Sequence, residues 1–293
     1  MHQTIVIGIA GRPEDAEALA LARRIADPDA NLIAVNVEVL DAIGVRVAAV
    51  EIASGSATAA EEAVDAFVEA HPGVEGSPVR SQSVGRGLAW LARGARADLI
   101  VVASSRRGLL GRTFAGDSVR DVLRHAPCPV AIAPVGYDAT GPLKNLVVGY
   151  DGSPEADAAV KAAVDLAGRD GGQVGAIQVV EAFAAASTLG GIDGRTVAEE
   201  YDRAQASLDR IAAQYALSGA ITTGRAAHEL ARASRDADLL CVGLHEHGLL
   251  DRLMVGSTAH ALLREQSAPL LVVPPQVAAD TDPHETADAL ADT

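Results

Sequence analysis

The feature that most restricts what this chain can fold into is that it is written twice. "IVIGIAGRPEDA" from Ile5 lies over "LVVGYDGSPEAD" from Leu146, so that Gly8/Gly149, Gly11/Gly152, Pro13/Pro154 and Glu14/Glu155 coincide. Further on, "GRGLAWLARGARADLIVVASS" from Gly85 lies over "GRAAHELARASRDADLLCVGLH" from Gly224, and "PVAIAP" from Pro129 over "PLLVVP" from Pro269. Matches in this order mark a tandem duplication, with the joint in "PVGYDATGPLK". The predicted units are residues 1–137 and 138–275, each of ordinary domain size. They are followed at 276–293 by an acidic tail without Lys or Arg, expected to be solvated and disordered.

Within each copy, short unbroken apolar runs read as strands covered on both faces. They are "IVIGI", "LIVVA" and "VAIA" in the first copy, and "LVVGY", "LLCVG" and "LLVV" in the second. Helical periods lie between them. Ala156, Ala159, Val160, Ala163, Val164 and Ala167 follow an i, i+3, i+4 pattern, as do Tyr201, Ala204, Leu208, Ile211 and Tyr215. Strands alternating with helices pair in parallel through right-handed crossovers. The predicted fold class is therefore α/β, with two tandem doubly wound domains, each a mainly parallel five-stranded sheet flanked by about four helices. Pro13 and Pro154 are expected at the first helical position, Ser153 as an N-cap, and Trp90 packed on a helix.

Aromatic residues make up 3% of the chain against 49% hydrophobic residues overall, which suits closely spaced aliphatic cores. A formal net charge of -15 opposes the approach of a polyphosphate backbone or an anionic membrane, so neither partner is expected. Cys128 and Cys241 show no metal-ligand or disulfide spacing. With no leader-like segment and no apolar run of about 18 residues, a reducing cytoplasm is the expected location.

In sheets of this kind, ligands sit beyond the carboxyl ends of the strands, where strand order reverses. Asp151, in "GYDGSPE", ends the first strand of the second copy. Its carboxylate could take hydrogen bonds from a ribose or adenine, or could serve only its own turn. The fourth strand ends at Gly243, and Gly256, Ser257 and Thr258 open a helix after a loop. A helix start with glycine and hydroxyls suits a phosphate, but a Ser/Thr cap beside a permissive glycine reads the same.

Taken together, "DGSPE", "DLIVVAS" or "DLLCVG", a loop ending in "GS", and "APCPV" or "SAPLLVV" resemble the universal stress protein family in tandem form. The resemblance runs from residue 4 to about 275. It implies a doubly wound sheet for each copy and, in one branch, ATP or another adenine nucleotide, alone or with Mg²⁺, held by a G-x2-G-x9-G-[ST] loop. In the second copy the loop positions hold Gly243, Glu246, Gly256 and Ser257; the strand-end aspartate is Asp151, and the residue near adenine is Val180. Glu246 is the departure: a carboxylate there repels a polyphosphate unless a metal intervenes or the side chain turns outward. In the first copy these positions hold Ala103, Arg106, Gly116 and Asp117, with Ala10 in the aspartate's place. That copy is expected to be a structural pseudo-site. The resemblance further implies that "PVAIAP" and "PLLVV" pair the copies about a pseudo-twofold axis, and it allows whole chains to dimerise.

A nucleotide-binding regulatory or stress-response role is the leading expectation. A member that binds no ATP and acts through protein partners is the alternative, and weak ATP hydrolysis or nucleotidyl transfer a second. Neither a G-x-S-x-G elbow nor a P-loop occurs, so no catalytic residue is assigned. His245, His247 and His260 have no companion Cys or paired carboxylate except Glu246, so they are read as polar loop residues and no metal site is expected. The stretch from Val45 to Gly55, and that following the second copy's second strand, are expected to be variable loops flanking the cleft.

Overall fold

The uniformly apolar runs form the strands they predict. The computed structural model describes residues 4–40, 58–104, 117–181, 194–244, 258, 261–263 and 268–275. The first copy contributes β1 (Thr4–Ile9), β2 (Asn31–Val39), β3 (Val74–Ser81), β4 (Leu99–Ala103) and β5 (Val130–Ala133). The second contributes β6 (Asn145–Tyr150), β7 (Gln173–Val180), β8 (Ser218–Thr223), β9 (Leu239–Gly243) and β10 (Leu270–Val273). Between them lie α1 (Asp15–Ile25), α2 (Ala59–Ala70), α3 (Val84–Gly94) and α4 (Asp117–His125), then α5 (Pro154–Asp170), α6 (Gly194–Tyr215) and α7 (Ala226–Ala233). Residues 258 and 261–263 are also helical. Among the described residues no helix is long and apolar enough to cross a membrane. The loop positions 45–55, 106, 107, 116 and 182–193, residues 245–257 with Glu246, Gly256 and Ser257, His260, and the tail 276–293 lie outside the described residues.

The ten strands make one sheet in the order β3-β2-β1-β4-β5-β10-β9-β6-β7-β8. Every pairing is parallel except β5 with β10, which is antiparallel with Leu271 opposite Ala131. Each copy is therefore the predicted doubly wound unit, and the two are joined edge to edge. The join has a physical cause. "VAIA" and "LLVV" are buried at every residue and carry no charge, and such a strand left at an edge would recruit another chain. The outer edges are of another kind: β3 carries Pro78 and Arg80, and β8 reads "SGAITT" with no fully buried residue. Pro and polar side chains are what an open edge tolerates.

The copies are also latched by charge. Arg24 of α1 donates to Asp238 (2.5 Å), to the Tyr137 hydroxyl (2.9 Å) and to the carbonyls of Gly141 and Pro142 in the joint. In return Arg169 of α5 donates to the last carbonyls of α1, at Arg24, Ile25 and Ala26. A guanidinium there satisfies carbonyls that a helix end leaves open.

The α5 helix starts as predicted. Ser153 Oγ accepts from the Ala156 amide and Pro154 takes the first turn. Its buried face is Ala156, Ala159, Val160, Ala163, Leu166 and Ala167. The α1 helix does not follow suit: it begins at Asp15, so Pro13 lies in the preceding turn and not at the first helical position. Arg12, in the place of Ser153, has no side-chain oxygen with which to cap.

Trp90 is a second correction, since it is 68% exposed. The buried face of α3 is Gly85, Gly87, Leu88, Ala89 and Ala92, and a residue two places after Leu88 points about 200° away from it. The single tryptophan should accordingly be quenched by acrylamide almost as fast as free indole, and strong protection would contradict this placement. Tyr201 is exposed as well, while Ala204, Leu208 and Ile211 carry the packing of α6.

Candidate functional site

The chain leaves β6 through α5 to β7 on one side and, after β8 and α7, returns to β9 on the other. The helices α5 and α6 pack on one face of the sheet and α7 on the other. The carboxyl ends of β6 and β9 thus flank a strand-order reversal, the place where such sheets hold ligands. Register puts Tyr150 beside Gln178 and Gly149 beside Val242. Asp151, Val180 and Gly243 consequently end three adjacent strands, in the order β7-β6-β9.

Each has a distinct setting. Asp151 is exposed, and its Oδ1 accepts from the Ser153 amide at 2.9 Å, closing the turn at Gly152 (φ +81). Its Oδ2 makes no hydrogen bond among the described residues and remains available as an acceptor. Val180 is 2% exposed and belongs to the floor. Gly243 lies where β9 meets the first turn of α5. A Cβ there would stand 2.5 Å from the Glu155 carbonyl carbon and 2.7 Å from the Ala156 nitrogen. Thr258 is helical and half-buried; Gly256 and Ser257, which complete the predicted set, lie outside the described residues.

The wall on the α6 side is polar and fixed. Tyr150 donates to Asp157 (2.8 Å) and accepts from Arg210 (2.8 Å), while Ser207 donates to Gln178 (3.1 Å). Burial, reinforced by the Asp157 carboxylate, pushes the Tyr150 hydroxyl up to about 12, so it stays protonated and donates. Both thiols are buried: burial pushes Cys128 up to about 12 and raises Cys241 as well, which disfavours the reactive thiolate.

The first copy is where the structure adds most. Ala10 does occupy the strand-end aspartate's position, yet the turn has not lost its carboxylate. Asp15, five residues on, reaches back to accept from the amides of Ala10 (2.9 Å) and Arg12 (2.9 Å). Burial pushes its carboxyl above the ordinary value, against the downward pull of the Arg12, Ala10 and Gly11 amides. Asp15 occupies α1's apolar stripe with Ala18, Leu19 and Ala22, all buried. A lone charge on that stripe was the readable signal, and the spacing of the loop glycines drew attention elsewhere. Beside Asp15 lies a cavity of about 350 Å³ at the ends of β1, β2 and β4, lined by Ala10, Asn36 and Ala103 among others. The first copy is therefore hollow at the position expected to be a pseudo-site.

The fold and cleft define a class: tandem doubly wound α/β proteins with a ligand cleft at the strand-order reversal of each copy. The family model described as the universal stress protein family matches residues 1–134 and again 142–274. The chain belongs to the universal stress protein family. A universal stress protein of Mycobacterium tuberculosis is 31% identical over 191 residues, 60% of this chain and 61% of that protein. The chain thus matches less than two thirds of that relative's length. One of Mycolicibacterium smegmatis is 26% identical over 225 residues, covering 72% of this chain and 73% of its own. Among solved structures, a Pseudomonas aeruginosa protein of unknown function superposes with a TM-score of 0.65 at 18% identity, over 94% of this chain and 93% of that one. This last likeness concerns the fold.

Proposed function

We propose that this chain is a regulatory stress-response protein that binds an adenine nucleotide, ATP foremost, in its second copy, and that it does not turn the nucleotide over. The observation that carries the reading is the convergence at one sheet edge of Asp151, with a carboxylate oxygen uncommitted, Val180 and Gly243. The loop from Gly243 leads after twelve residues to Gly256, Ser257 and Thr258, and a glycine and two hydroxyls in sequence before a helix are the residue types that suit phosphates. Glu246 within that loop calls for Mg²⁺ or an outward side chain. Asp151→Ala removes the acceptor for ribose or adenine together with the turn bond to the Ser153 amide, while the Ser153 cap on Ala156 is kept. It should weaken ATP at least about tenfold in equilibrium titrations, the size of one lost hydrogen bond to a charged group. Absence of saturable binding of ATP or AMP by the unaltered chain below about 1 mM, an affinity worth only about 4 kcal/mol, would remove the reading.

One observation favours a second reading, in which neither copy holds ATP and the chain works through protein partners. The close approach of β9 to α5 requires a glycine at 243 whatever binds there. On that reading the loop's first glycine reports packing, and the titrations come out flat.

A further inference from the structure

The outer face of α3 is unlike that of its repeat, α7. Trp90 is the single tryptophan and is 68% exposed. Arg86 stands four residues before it and Arg93 three after, so both lie on its face of the helix, and Arg96 follows in the turn after the helix. All three arginines are exposed. Arg86 donates to the Gln82 amide oxygen (2.7 Å) and Arg93 to the His125 carbonyl (3.4 Å); among the described residues no carboxylate pairs with either, or with Arg96. The second copy shows what has changed. The two helices end alike, the amides of Ala95 and Ser234 closing on the carbonyls of Leu91 and Leu230, which sets Trp90 over Glu229 and Arg93 over Arg232. Glu229 accepts from Arg232 at 2.9 Å. The second copy thus carries the arginine's counter-ion on the helix, and the first carries an indole in its place. In a chain of net charge -15, that leaves a local cationic face around an exposed apolar ring.

The chain also carries what would cover it. Residues 276–293 hold Asp280, Asp282, Glu285, Asp288 and Asp292 with no Lys or Arg, and the apolar Val277 and Leu290. They follow β10, whose antiparallel pairing sets Val272 opposite Val130, so the chain leaves β10 at the amino end of β5. The α3 helix finishes at the same edge, since its next turn enters β4 at Leu99, and Ile100 neighbours Val130. It lies over β1, β2 and β3, three to five strands from β10, or about 15 to 25 Å at the spacing of neighbouring strands. The stretch from Pro274 to Glu285 extends to about 40 Å, enough to climb the helix layer as well.

We propose that the acidic segment 276–293 docks on the outer face of α3 of its own chain, its carboxylates answering Arg86, Arg93 and Arg96 and its apolar residues covering Trp90. The contact is independent of what either cleft binds. The test places a nitroxide on the full chain at Thr286→Cys, which leaves the tail's charges in place; Cys128 and Cys241 are buried, so the label is specific. Trp90 supplies a single indole N–H resonance. In about 0.02 M salt that resonance should lose at least about half of its intensity to the nitroxide and regain it in about 0.5 M, as the Debye length falls from about 20 Å to about 4 Å. Trp90 is then as open to acrylamide as its exposure requires. Arg86→Gln together with Arg93→Gln should abolish the loss at low salt, and so should changing the five tail acids together to their amides. Nitroxide-labelled chain mixed with isotope-labelled chain that lacks the nitroxide should leave the resonance unchanged. Full intensity at low salt would overturn this docking, as would a loss that survives either neutralisation. An equal loss in the mixed sample would seat the tail on a second copy and overturn it too.

Discussion

Asp238→Ala is expected to lower the stability of the chain by about 3 kcal/mol, the low end for breaking a desolvated ion pair by removing one partner. Asp238 Oδ2 accepts from the Lys144 and Asn145 amides, both at 2.8 Å, where the joint enters β6. Its Oδ1 takes the Arg24 guanidinium, whose side chain is 6% exposed. The variant takes the acceptor from two amides and the counter-ion from one largely buried cation, which keeps only the neutral Tyr137, Gly141 and Pro142 oxygens, at the point where the copies meet. Urea denaturation at pH 7 measures the loss, with Asp165→Ala as the control. The Lys161–Asp165 pair is 66% and 57% exposed, and an exposed pair of that kind contributes about 0 to 1 kcal/mol. Equal losses in the two variants would refute the latch. The pH dependence has a definite sign. Burial alone would raise the Asp238 carboxyl, but the Asn145 amide, Arg24 and the Lys144 amide outweigh it and hold it below the ordinary 3.8. A depressed carboxyl contributes fully above its unfolded value and loses that contribution as pH falls through the folded one. The gap between the unaltered chain and the variant should hold down to about pH 4 and narrow below it.

The core of this fold could be read from the sequence because its central strands are buried on both faces and are therefore apolar at every position. "LIVVA", "LLCVG" and "LLVV" admit no half-exposed reading. The edge strands could not be read in that way. In "VEGSPVRS" and "SGAITT" exposure erases the apolar signal, and only the requirement of about five strands per copy called for them. The α5 helix announced itself through Ser153, Pro154 and its apolar period. The late start of α1 did not, because it depends on Asp15 folding back onto a strand end five residues earlier, an interaction that spacing alone does not expose. Trp90 was misjudged from its type, although its place two residues after Leu88 assigns it to the outer face.

The same distinction runs through the site. Asp151, Val180 and Gly243 were identifiable as strand ends, and strand ends are adjacent in any parallel sheet of this order. What sequence could not weigh is competition for the same groups. Asp151 serves its own turn with one oxygen, and Asp15 takes over the equivalent task in the first copy. Reading Ala10 as a lost carboxylate counted residues at aligned positions, whereas the backbone amides respond to whichever carboxylate reaches them.

That competition makes Gly243→Ala the most informative substitution in the second copy. The new methyl would lie 2.5 Å from the Glu155 carbonyl carbon, 2.7 Å from the Ala156 nitrogen and 2.8 Å from the Glu155 Cβ. These atoms belong to a helical first turn, held by the Ser153 cap and packed on β6 and β9, so no flexible side-chain end can move aside. A loss of about 2 to 3 kcal/mol is expected, as for overpacking against backbone, read as a lowered denaturation midpoint with no nucleotide present. The first copy shows how the clash is avoided. It carries Ala103 in this place, and α1 begins at Asp15, the counterpart of Ala156, two residues later than α5 begins at Pro154. The opposite change, Ala103→Gly, should cost no more than about 1 kcal/mol, the backbone-entropy difference between the two residues. If Gly243→Ala unfolds more easily while its folded fraction binds ATP normally, the glycine is there for the helix and the loop pattern overstates the phosphate site. If stability is unchanged and ATP binding is lost, the packing argument fails and the glycine serves the phosphates.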